Sequence, residues 1–298
     1  MRFFFNLTRK KGNSQPVGSE LQSKEQSVPE RRHLEGTPYV LPKDEQEKER
    51  IDFQHHFLRH YVIKGLYLAP IGQQVLDILD VGTGSGMWAY DMAKLFPAAR
   101  IVGLDKEFTP RAAAPSNFKP ALGNILEGLP FADNSFDFVH QRLLVAAIPV
   151  QHWPIVIYEL VRVTRPGRYV ELGETGFIFH NVGPSMQRFI DWGEAASTAV
   201  GIDLKIVARL GDFLKDAGLE YVQQHTFSIK IGHWGGKMGE MAAKNGYAGF
   251  ASLRDLYVSR LRLSLSEFDQ TLQALPAEWD RYHTVGEFYV AYGQKARR

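Results

Sequence analysis

The sequence contains no cysteine. The protein therefore has no disulfide, no thiol nucleophile and no thiolate metal site, and this absence fits a reducing compartment. No apolar run approaches the ~18 residues that a membrane-spanning helix needs. The formal net charge is only +2, from 35 basic and 33 acidic residues, so no strong field attracts nucleic acid. These absences predict a cytoplasmic protein with neither a membrane nor a nucleic-acid partner.

The first segments of the chain differ in composition from the rest. Residues 1–36 are polar and lack a secretory apolar segment, so we predict a flexible tail. Residues 37–72 are predicted to form a helical lid, because Pro42 followed by Asp44 and Glu45 favours a helix start. Apolar side chains then recur at helical spacing, at Ile51, Leu58, Tyr61, Val62 and Leu66.

Residues 73–298 alternate short apolar runs with helical patterns. The runs "QVLDILDVG", "ARIVGLD" and "SFDFVHQRLL" are typical of buried strands, and "GMWAYDMAKLFP" is typical of a helix that ends at a proline. Such alternation predicts an α/β domain with a mostly parallel sheet covered by helices on both faces. A helical insert over about 232–283 precedes the last strand, and a connection of that length usually carries function.

The stretch "DVGTGSGMW" places three glycines between the first strand and its helix. Glycine lets a ligand approach the backbone closely, although a tight turn without a ligand has the same pattern. A phosphate loop is excluded because no Gly-Lys-Ser/Thr follows. A dinucleotide loop needs glycine where Met87 stands, which argues against an NAD dehydrogenase.

Asp105 ends the second strand, where an acid accepts both hydroxyls of a ribose. This feature suits NAD as well as a single nucleoside, and a solvated aspartate at a strand end is also common. The residues alone therefore indicate a nucleoside site without choosing its ligand.

A weaker third strand is predicted at "FKPALGN", so that "SFDFVHQRLL" is the fourth strand and "PGRYVELGE" the fifth. The third strand leads into "LGNILEGLPFADNSFDFVHQRLL". Together with the glycine loop and Asp105, this stretch resembles the motifs of class I S-adenosylmethionine (SAM)-dependent methyltransferases, in the family's order. The resemblance covers Val75 to Glu174, about a third of the chain. Flanking segments resemble a subgroup that includes LaeA-like methyltransferases of secondary metabolism.

This resemblance implies a Rossmann-like fold with a mostly parallel, seven-stranded sheet, and it implies SAM as cofactor with S-adenosylhomocysteine (SAH) as product. The three glycines would border the methionine part of the cofactor, Asp80 would order their loop, and Asp105 would take the ribose. Asn124 stands where the family often has aspartate for the adenine amino group, and its carbonyl accepts the same bond. The cofactor-binding residues so implied are Tyr39, Asp80, Gly82, Gly84, Gly86, Asp105, Lys106, Asn124, Ile125 and Gln141.

Three of these roles are more specific. The Ile125 backbone N–H would meet an adenine ring nitrogen, with Lys106 beside the adenine edge. The Gln141 backbone carbonyl would accept from the methionine ammonium, and the Tyr39 hydroxyl would donate to its carboxylate. Arg142 is either a further ligand contact or a structural ion-pair partner, and His55 is interpreted as a packed histidine.

Methyl transfer needs a general base only where the nucleophile must lose a proton. A base is expected at the carboxyl ends of the fourth and fifth strands, where open α/β sheets hold ligands. Glu174 and His180 lead there as catalytic candidates, ahead of His152 and His140. No histidine spacing indicates a metal.

The predicted function is methyl transfer to a small apolar or aromatic metabolite, with oxygen slightly favoured over nitrogen or carbon as the acceptor atom. Aromatic and methionine side chains of the insert are expected to form the roof over this acceptor, at Trp234, Met238 and Met241 beside Gly235 and Gly236. Two alternatives stay open: a SAM-binding regulatory protein, and an enzyme of similar fold that performs cyclisation instead of methylation.

Overall fold

The computed structural model describes residues 44–108 and 113–297. The predicted tail, the start of the lid and Tyr39 lie outside these residues. Within them, no helix is long and apolar enough to cross a membrane.

The helix predicted in the lid is present. Helix α1 spans Glu45–Phe57, and the Asp44 side chain caps it by accepting from the Glu47 N–H at 2.9 Å. A single π-helical stretch, Leu58–Val62, continues it. Phe57 and both ends of that stretch are buried, so this segment is docked on the domain by its apolar side.

One sheet organises the rest of the chain. Its strands are β1 (Asp77–Val81), β2 (Arg100–Asp105), β3 (Phe118–Leu122), β4 (Phe136–Arg142), β5 (Thr164–Glu174), β6 (Phe179–His180), β7 (Glu220–Lys230) and β8 (Val285–Gln294). The spatial order is β3-β2-β1-β4-β5-β8, with β7 also paired to β8. Strands β1 to β5 pair in parallel, whereas β8 is antiparallel to both β5 and β7.

The short strand β6 does not add a position to this sheet. It pairs with Val285 and Gly286 of β8, and β7 pairs with the same two residues. Because a strand has only two edges, β6 must share the β5 edge of β8. The sheet thus has seven strand positions and one antiparallel strand, which confirms the predicted Rossmann-like architecture.

Helices cover both faces of the sheet. Along β1, Ile78 packs in a cluster with α2 (Met87–Leu95), while Leu79 and Val81 pack in another with α3 (Trp153–Val163). Alternate residues of a strand point to opposite faces, so the two clusters lie on opposite sides of the sheet.

A third cluster contains the predicted insert. Helices α4 (Pro184–Thr198) and α5 (Leu210–Asp216) precede β7, and the insert consists of α6 (Gly236–Ser252), α7 (Arg254–Leu261) and α8 (Leu265–Tyr282). Phe189, Phe250, Phe268 and Trp279 pack together there with Phe57 from α1. The insert therefore shares one apolar core with the end of the lid helix.

Candidate active site

A cavity of about 400 Å³ lies at the carboxyl ends of β1, β2 and β4. We call one part of its lining the loop half, made by α1, the glycine loop and the turns after β2, β3 and β4. We call the rest the helix half, made by the turn after β5, the end of β7 and the start of β8, together with α4 and α6 to α8. The helix half is mainly apolar, and its aromatic lining residues are Phe177, Phe179, Phe250, Tyr257 and Trp279.

The three glycines of the loop have positive φ angles, of 70° at Gly82, 57° at Gly84 and 81° at Gly86, where side chains are disfavoured. Their surroundings differ. A Cβ atom would lie 2.6 Å from the Leu144 side chain at Gly82 and 3.0 Å from Tyr90 at Gly86, but at Gly84 no atom lies closer than 3.9 Å. Gly84 is thus the glycine whose missing side chain leaves open space.

Gly82 and Gly84 line the cavity, whereas Gly86 is not among its lining residues. The placement of Gly86 differs from the sequence expectation because its Cβ position faces Tyr90 and Phe108. Its contribution is to let the start of α2 pack against those rings.

Asp80 holds the loop in place from below. One carboxylate oxygen accepts from the Thr83 hydroxyl at 2.7 Å, and the other lies 2.8 Å from His140 Nδ1. The His140 ring stacks on Trp88 with centroids 3.7 Å apart, and burial lowers its pKa despite the Asp80 contact. His140 is therefore a buried, neutral support of the loop.

Asp105 lies beside Gly84, as the strand pattern predicts. Its Oδ2 accepts from the Gly84 N–H at 2.8 Å, so the carboxylate fixes the loop at the point where the loop opens on the cavity. Lys106 lines the cavity next to it.

Asn124 and Ile125 also line the cavity. The Asn124 Oδ1 accepts from the Leu126 N–H at 3.2 Å and caps a short 3₁₀ turn, Ile125–Glu127. A carbonyl oxygen has a second lone pair, so this cap leaves it one further acceptor position.

Arg142 ends β4 and lines the cavity, whereas the neighbouring Gln141 is fully buried and is not among the lining residues. The Arg142 Nη2 lies 2.9 Å from His55 Nδ1, and His55 Nε2 lies 3.0 Å from Asp91. Within 44–108 and 113–297, no carboxylate is at ion-pair distance from Arg142, so the structural ion-pair interpretation fails there.

The protonation of His55 follows from its neighbours. Arginine only donates, so Nδ1 of His55 must accept and Nε2 must carry the proton that is donated to Asp91. Burial lowers the pKa of His55 further than the bond to Asp91 raises it, which agrees with this neutral ring. His55 is packed with both ring nitrogens bonded, as interpreted from the sequence, and it ties α1 to the site.

The two leading candidates for the base lie away from the cavity surface. The Glu174 carboxylate is fully buried and accepts from the Leu144 N–H at 2.9 Å and the Val145 N–H at 3.1 Å. Burial raises its pKa to about 7, against the effect of these two donors. Glu174 therefore holds the turn after β4, which is the turn that lines the loop half.

His180 is a surface side chain, 54% exposed, whose Nε2 lies 2.9 Å from Glu287. It is not among the cavity-lining residues, but Glu287 is. The Tyr289 hydroxyl donates to the second oxygen of Glu287. Burial raises the pKa of Glu287, but the bonds from Tyr289 and His180 outweigh it and hold that pKa below its ordinary value.

Sequence reasoning missed Glu287 because it considered only the ends of the parallel strands. In antiparallel β8, the first residues lie beside the last residues of β5 and β6. The signal available in the sequence was the carboxylate near the start of the last strand.

The expected roof is also different. Trp234 donates to the Ile231 carbonyl at 2.8 Å, and Met238 and Met241 pack on the apolar cluster, but none of the three lines the cavity. The α6 residues that do lie further along the helix and, apart from Phe250, are smaller: Ala242, Asn245, Gly246, Gly249 and Phe250. The part of the chain that the structure describes holds no cluster of three metal-ligating carboxylate or histidine side chains.

The chain is similar in sequence to known methyltransferases. A family model described as "Methyltransferase domain" matches residues 78–167. Methyltransferase pytC of Aspergillus terreus is 29% identical over 66% of this chain and 62% of its own length. N-methyltransferase sirN of Leptosphaeria maculans is 29% identical over 89% of this chain and 98% of its own length.

The chain thus spans less than two thirds of pytC but nearly all of sirN. Among solved structures, phosphoethanolamine N-methyltransferase 2 of Haemonchus contortus, in complex with SAM, has a TM-score of 0.49 at 15% identity, covering 83% of this chain and 52% of that one. The matched segment contains β1, the glycine loop, β2, β3 and β4 in the order that the motifs predict. This chain belongs to the class I SAM-dependent methyltransferases and is homologous to the fungal methyltransferases.

Proposed function

We propose that the protein transfers a methyl group from SAM to a small, largely apolar or aromatic metabolite, as part of secondary metabolism. The observation that carries this proposal is the continuity of the cavity. In the loop half, the cavity is lined by Gly84 and by Asp105, which accepts from the Gly84 N–H. In the helix half, the same cavity is lined by aromatic side chains. A nucleoside cofactor and an apolar acceptor can therefore meet in one enclosed space.

The loop half fits the cofactor in charge and in shape. Gly84 leaves room for a ligand at the backbone, and the buried Asp105 carboxylate beside it suits a ribose diol. Asn124 has an acceptor position for an adenine amino group, with Lys106 and Ile125 around it. Gln141 does not line the cavity, so its contact with the methionine ammonium through the backbone carbonyl stays a prediction.

Arg142 would hold the methionine carboxylate. One of its guanidinium donors is bonded to His55, and an arginine has five. Since Arg142 lines the cavity without a carboxylate partner among the described residues, an anionic group of a ligand would neutralise it. Tyr39, for which this role was expected, lies outside those residues.

SAM supplies an activated methyl group when it is bound. The protein then has to exclude water and to hold the acceptor atom in line with that group. The apolar side chains of the helix half exclude water. Among the described residues that line that half, Glu287 is the carboxylate, and it would accept a hydrogen bond or a proton from the acceptor.

The relatives bear on the acceptor atom. Several that are matched over nearly their whole length are N-methyltransferases, among them sirN and tcpN of Claviceps purpurea, the latter 28% identical over 95% of its length. These matches favour nitrogen over the oxygen that the sequence alone slightly favours. An ionised carboxylate such as Glu287 suits either an N–H or an O–H donor.

Calorimetric titration with SAM, SAH and NAD tests the first step. We expect micromolar binding of SAM and SAH and no heat with NAD. Turnover is then followed as SAH formation with a panel of aromatic amines and phenols, each product being identified by its mass. Tight SAM binding without a methylated product would indicate the regulatory alternative, and product that forms equally well with SAH would indicate cyclisation.

A further inference from the structure

Two of the glycines inside α6 have no explanation in the fold itself. Gly239, Gly246 and Gly249 all lie inside this helix, where glycine is less stable than alanine. At Gly239 the choice is forced, because a Cβ atom would lie 2.2 Å from the Gly232 carbonyl oxygen. A Cβ at Gly246 would make only ordinary contact with Trp279, at 3.8 Å, and at Gly249 it would meet nothing within 4 Å.

Neither Gly246 nor Gly249 has a positive φ, so the backbone does not require glycine there. Both residues line the cavity. Since neither the backbone nor the packing demands these two glycines, the space that they leave open belongs to the cavity. Alanine at either position would stabilise the helix at the expense of that space.

Two polar atoms without partners flank this face. Trp279 of α8 is 1% exposed, and its indole N–H makes no hydrogen bond with any residue in 44–108 or 113–297. The amide oxygen of Asn245, next to Gly246 on α6, is likewise buried without a partner in that part of the chain. A buried polar group without a partner is costly, which points to a ligand that completes both bonds.

The Trp279 ring lies beside Gly246. The ring atoms closest to the Cβ position of Gly246 are Cη2 and Cζ2 of Trp279, and Cζ2 is on the side of the ring that carries the N–H. The N–H donor of Trp279 and the oxygen acceptor of Asn245 therefore belong to the two helices on either side of the same open face.

We propose that Gly246 and Gly249 form the seat of the methyl acceptor, and that Trp279 and Asn245 recognise it. The acceptor is a flat, largely apolar molecule whose polar edge both accepts and donates a hydrogen bond, as an amide or a hydroxyl does. The aromatic wall around Phe250, whose ring centroid lies 6.4 Å from that of Trp279, packs on its faces. This inference rests on the proposed function and names the substrate class of the same cavity.

The test uses quinolin-2-one, an uncharged, flat, fluorescent lactam whose edge carries one carbonyl acceptor and one N–H donor, with the full-length protein saturated with SAH. The wild type should bind the probe with enhanced fluorescence. Gly249→Leu should weaken probe binding at least ten-fold by filling the seat, and Trp279→Phe should weaken it several-fold. SAH affinity, measured by calorimetry, should be unchanged in both variants.

Gly249→Ala separates this inference from a purely structural role. The added methyl group should raise Tm by about 2 °C through the helix, yet weaken the probe several-fold. Gly72→Leu adds the same side chain as Gly249→Leu at an exposed glycine outside the cavity, where a Cβ atom meets nothing within 4 Å, and it should leave probe binding as in the wild type.

Two results would overturn the inference while leaving the proposed function in place. One is a wild type that binds SAH but not the probe. The other is unchanged probe affinity in Gly249→Ala and Trp279→Phe with SAH affinity retained. Failure of SAH binding in the wild type would instead remove the proposed function itself.

Discussion

The loop half and the helix half of the cavity are built on opposite principles. In the loop half, the buried polar side chains have defined partners: Asp80 with Thr83 and His140, and Asp105 with Gly84. In the helix half, aromatic rings set the shape, and the polar atoms of Trp279 and Asn245 have no described partner. Hydrogen-bonded networks fix one geometry, whereas apolar walls mainly fix a volume. The geometry of the loop half therefore suits an invariant ligand, and the volume of the helix half suits a variable one.

Gly84→Val is expected to have the largest effect, a loss of SAM binding, and to change only the loop half. Its φ of 57° disfavours a branched side chain, and the added atoms would occupy the opening beside Asp105. We expect SAM binding to become undetectable by calorimetry. Gly72→Val is the matched control, since a Cβ there meets nothing within 4 Å and the residue lies outside the cavity. A variant at Gly84 that binds SAM normally would break the assignment of this half to the cofactor.

Asp105→Ala is expected to have the next largest effect. Losing charge-assisted bonds to a ribose costs about 2–3 kcal/mol, so SAM affinity should fall roughly 30- to 150-fold. Calorimetry measures this directly, with adenosine as a second ligand that keeps the ribose but lacks the methionine part. If both ligands keep their affinity, the carboxylate serves the loop alone. Asp212→Ala, at an exposed position of α5, should change nothing.

Glu287→Gln tests the helix half. The amide keeps the size of the side chain but loses the charge, so turnover of an N–H or O–H acceptor should fall about ten-fold. SAM affinity should stay at the wild-type value, because Glu287 lines the other half. Equal losses in turnover and in SAM affinity would contradict the division of the cavity. His180→Gln, which removes one partner of Glu287, should have a smaller effect of the same kind.

Glu174→Gln is expected to have the smallest effect on turnover, within about three-fold, because its oxygens are bound to the backbone of Leu144 and Val145. Glu171→Gln is the matched control. Glu171 is also buried, accepts from the Leu68 and Ala69 N–H groups, and has a pKa raised to about 7 by burial. A large loss of turnover in Glu174→Gln alone would make that carboxylate the catalytic base.

Both glutamates also set a pH dependence of stability. The pKa of each is raised in the folded state from 4.5 to about 7, so each group favours folding at low pH. That stability is fully present below about pH 4.5 and is lost as pH rises through 7, on the order of 3 kcal/mol per group. The free energy of unfolding, measured by chemical denaturation at pH 5 and at pH 8, should differ less between the two pH values in Glu174→Gln or Glu171→Gln than in the wild type.

The parts of this molecule that the sequence predicts are those with a local cause. Strand and helix patterns locate β1 to β5, and Asp105 lies beside the glycine loop because parallel strands end at one edge of the sheet. The glycines, in contrast, cannot be told apart without their neighbours. Leu144, in the turn after β4, faces Gly82, and this contact separates the packing role of Gly82 from the open space at Gly84.

The sequence does not predict placements that depend on distant partners. Glu174 follows a strand, as a base would, but its role depends on backbone donors 30 residues away in sequence. Met238 and Met241 have the composition of a roof, yet the face of α6 that meets the cavity is set by α8 and carries glycines instead. Helical periodicity fixes which residues share a face, not which face a neighbouring element covers.

The insert leaves the sheet and returns to it at almost the same point. Lys230 at the end of β7 pairs with Val285 at the start of β8, and the Ile231 N–H donates to the Thr284 carbonyl at 2.9 Å. Because its two ends are fastened side by side, the segment is connected to the rest of the domain in the manner of an exchangeable cassette. A related enzyme's segment grafted between Ile231 and Thr284 would bring its own acceptor preference, while the strands that carry the glycine loop stay in register.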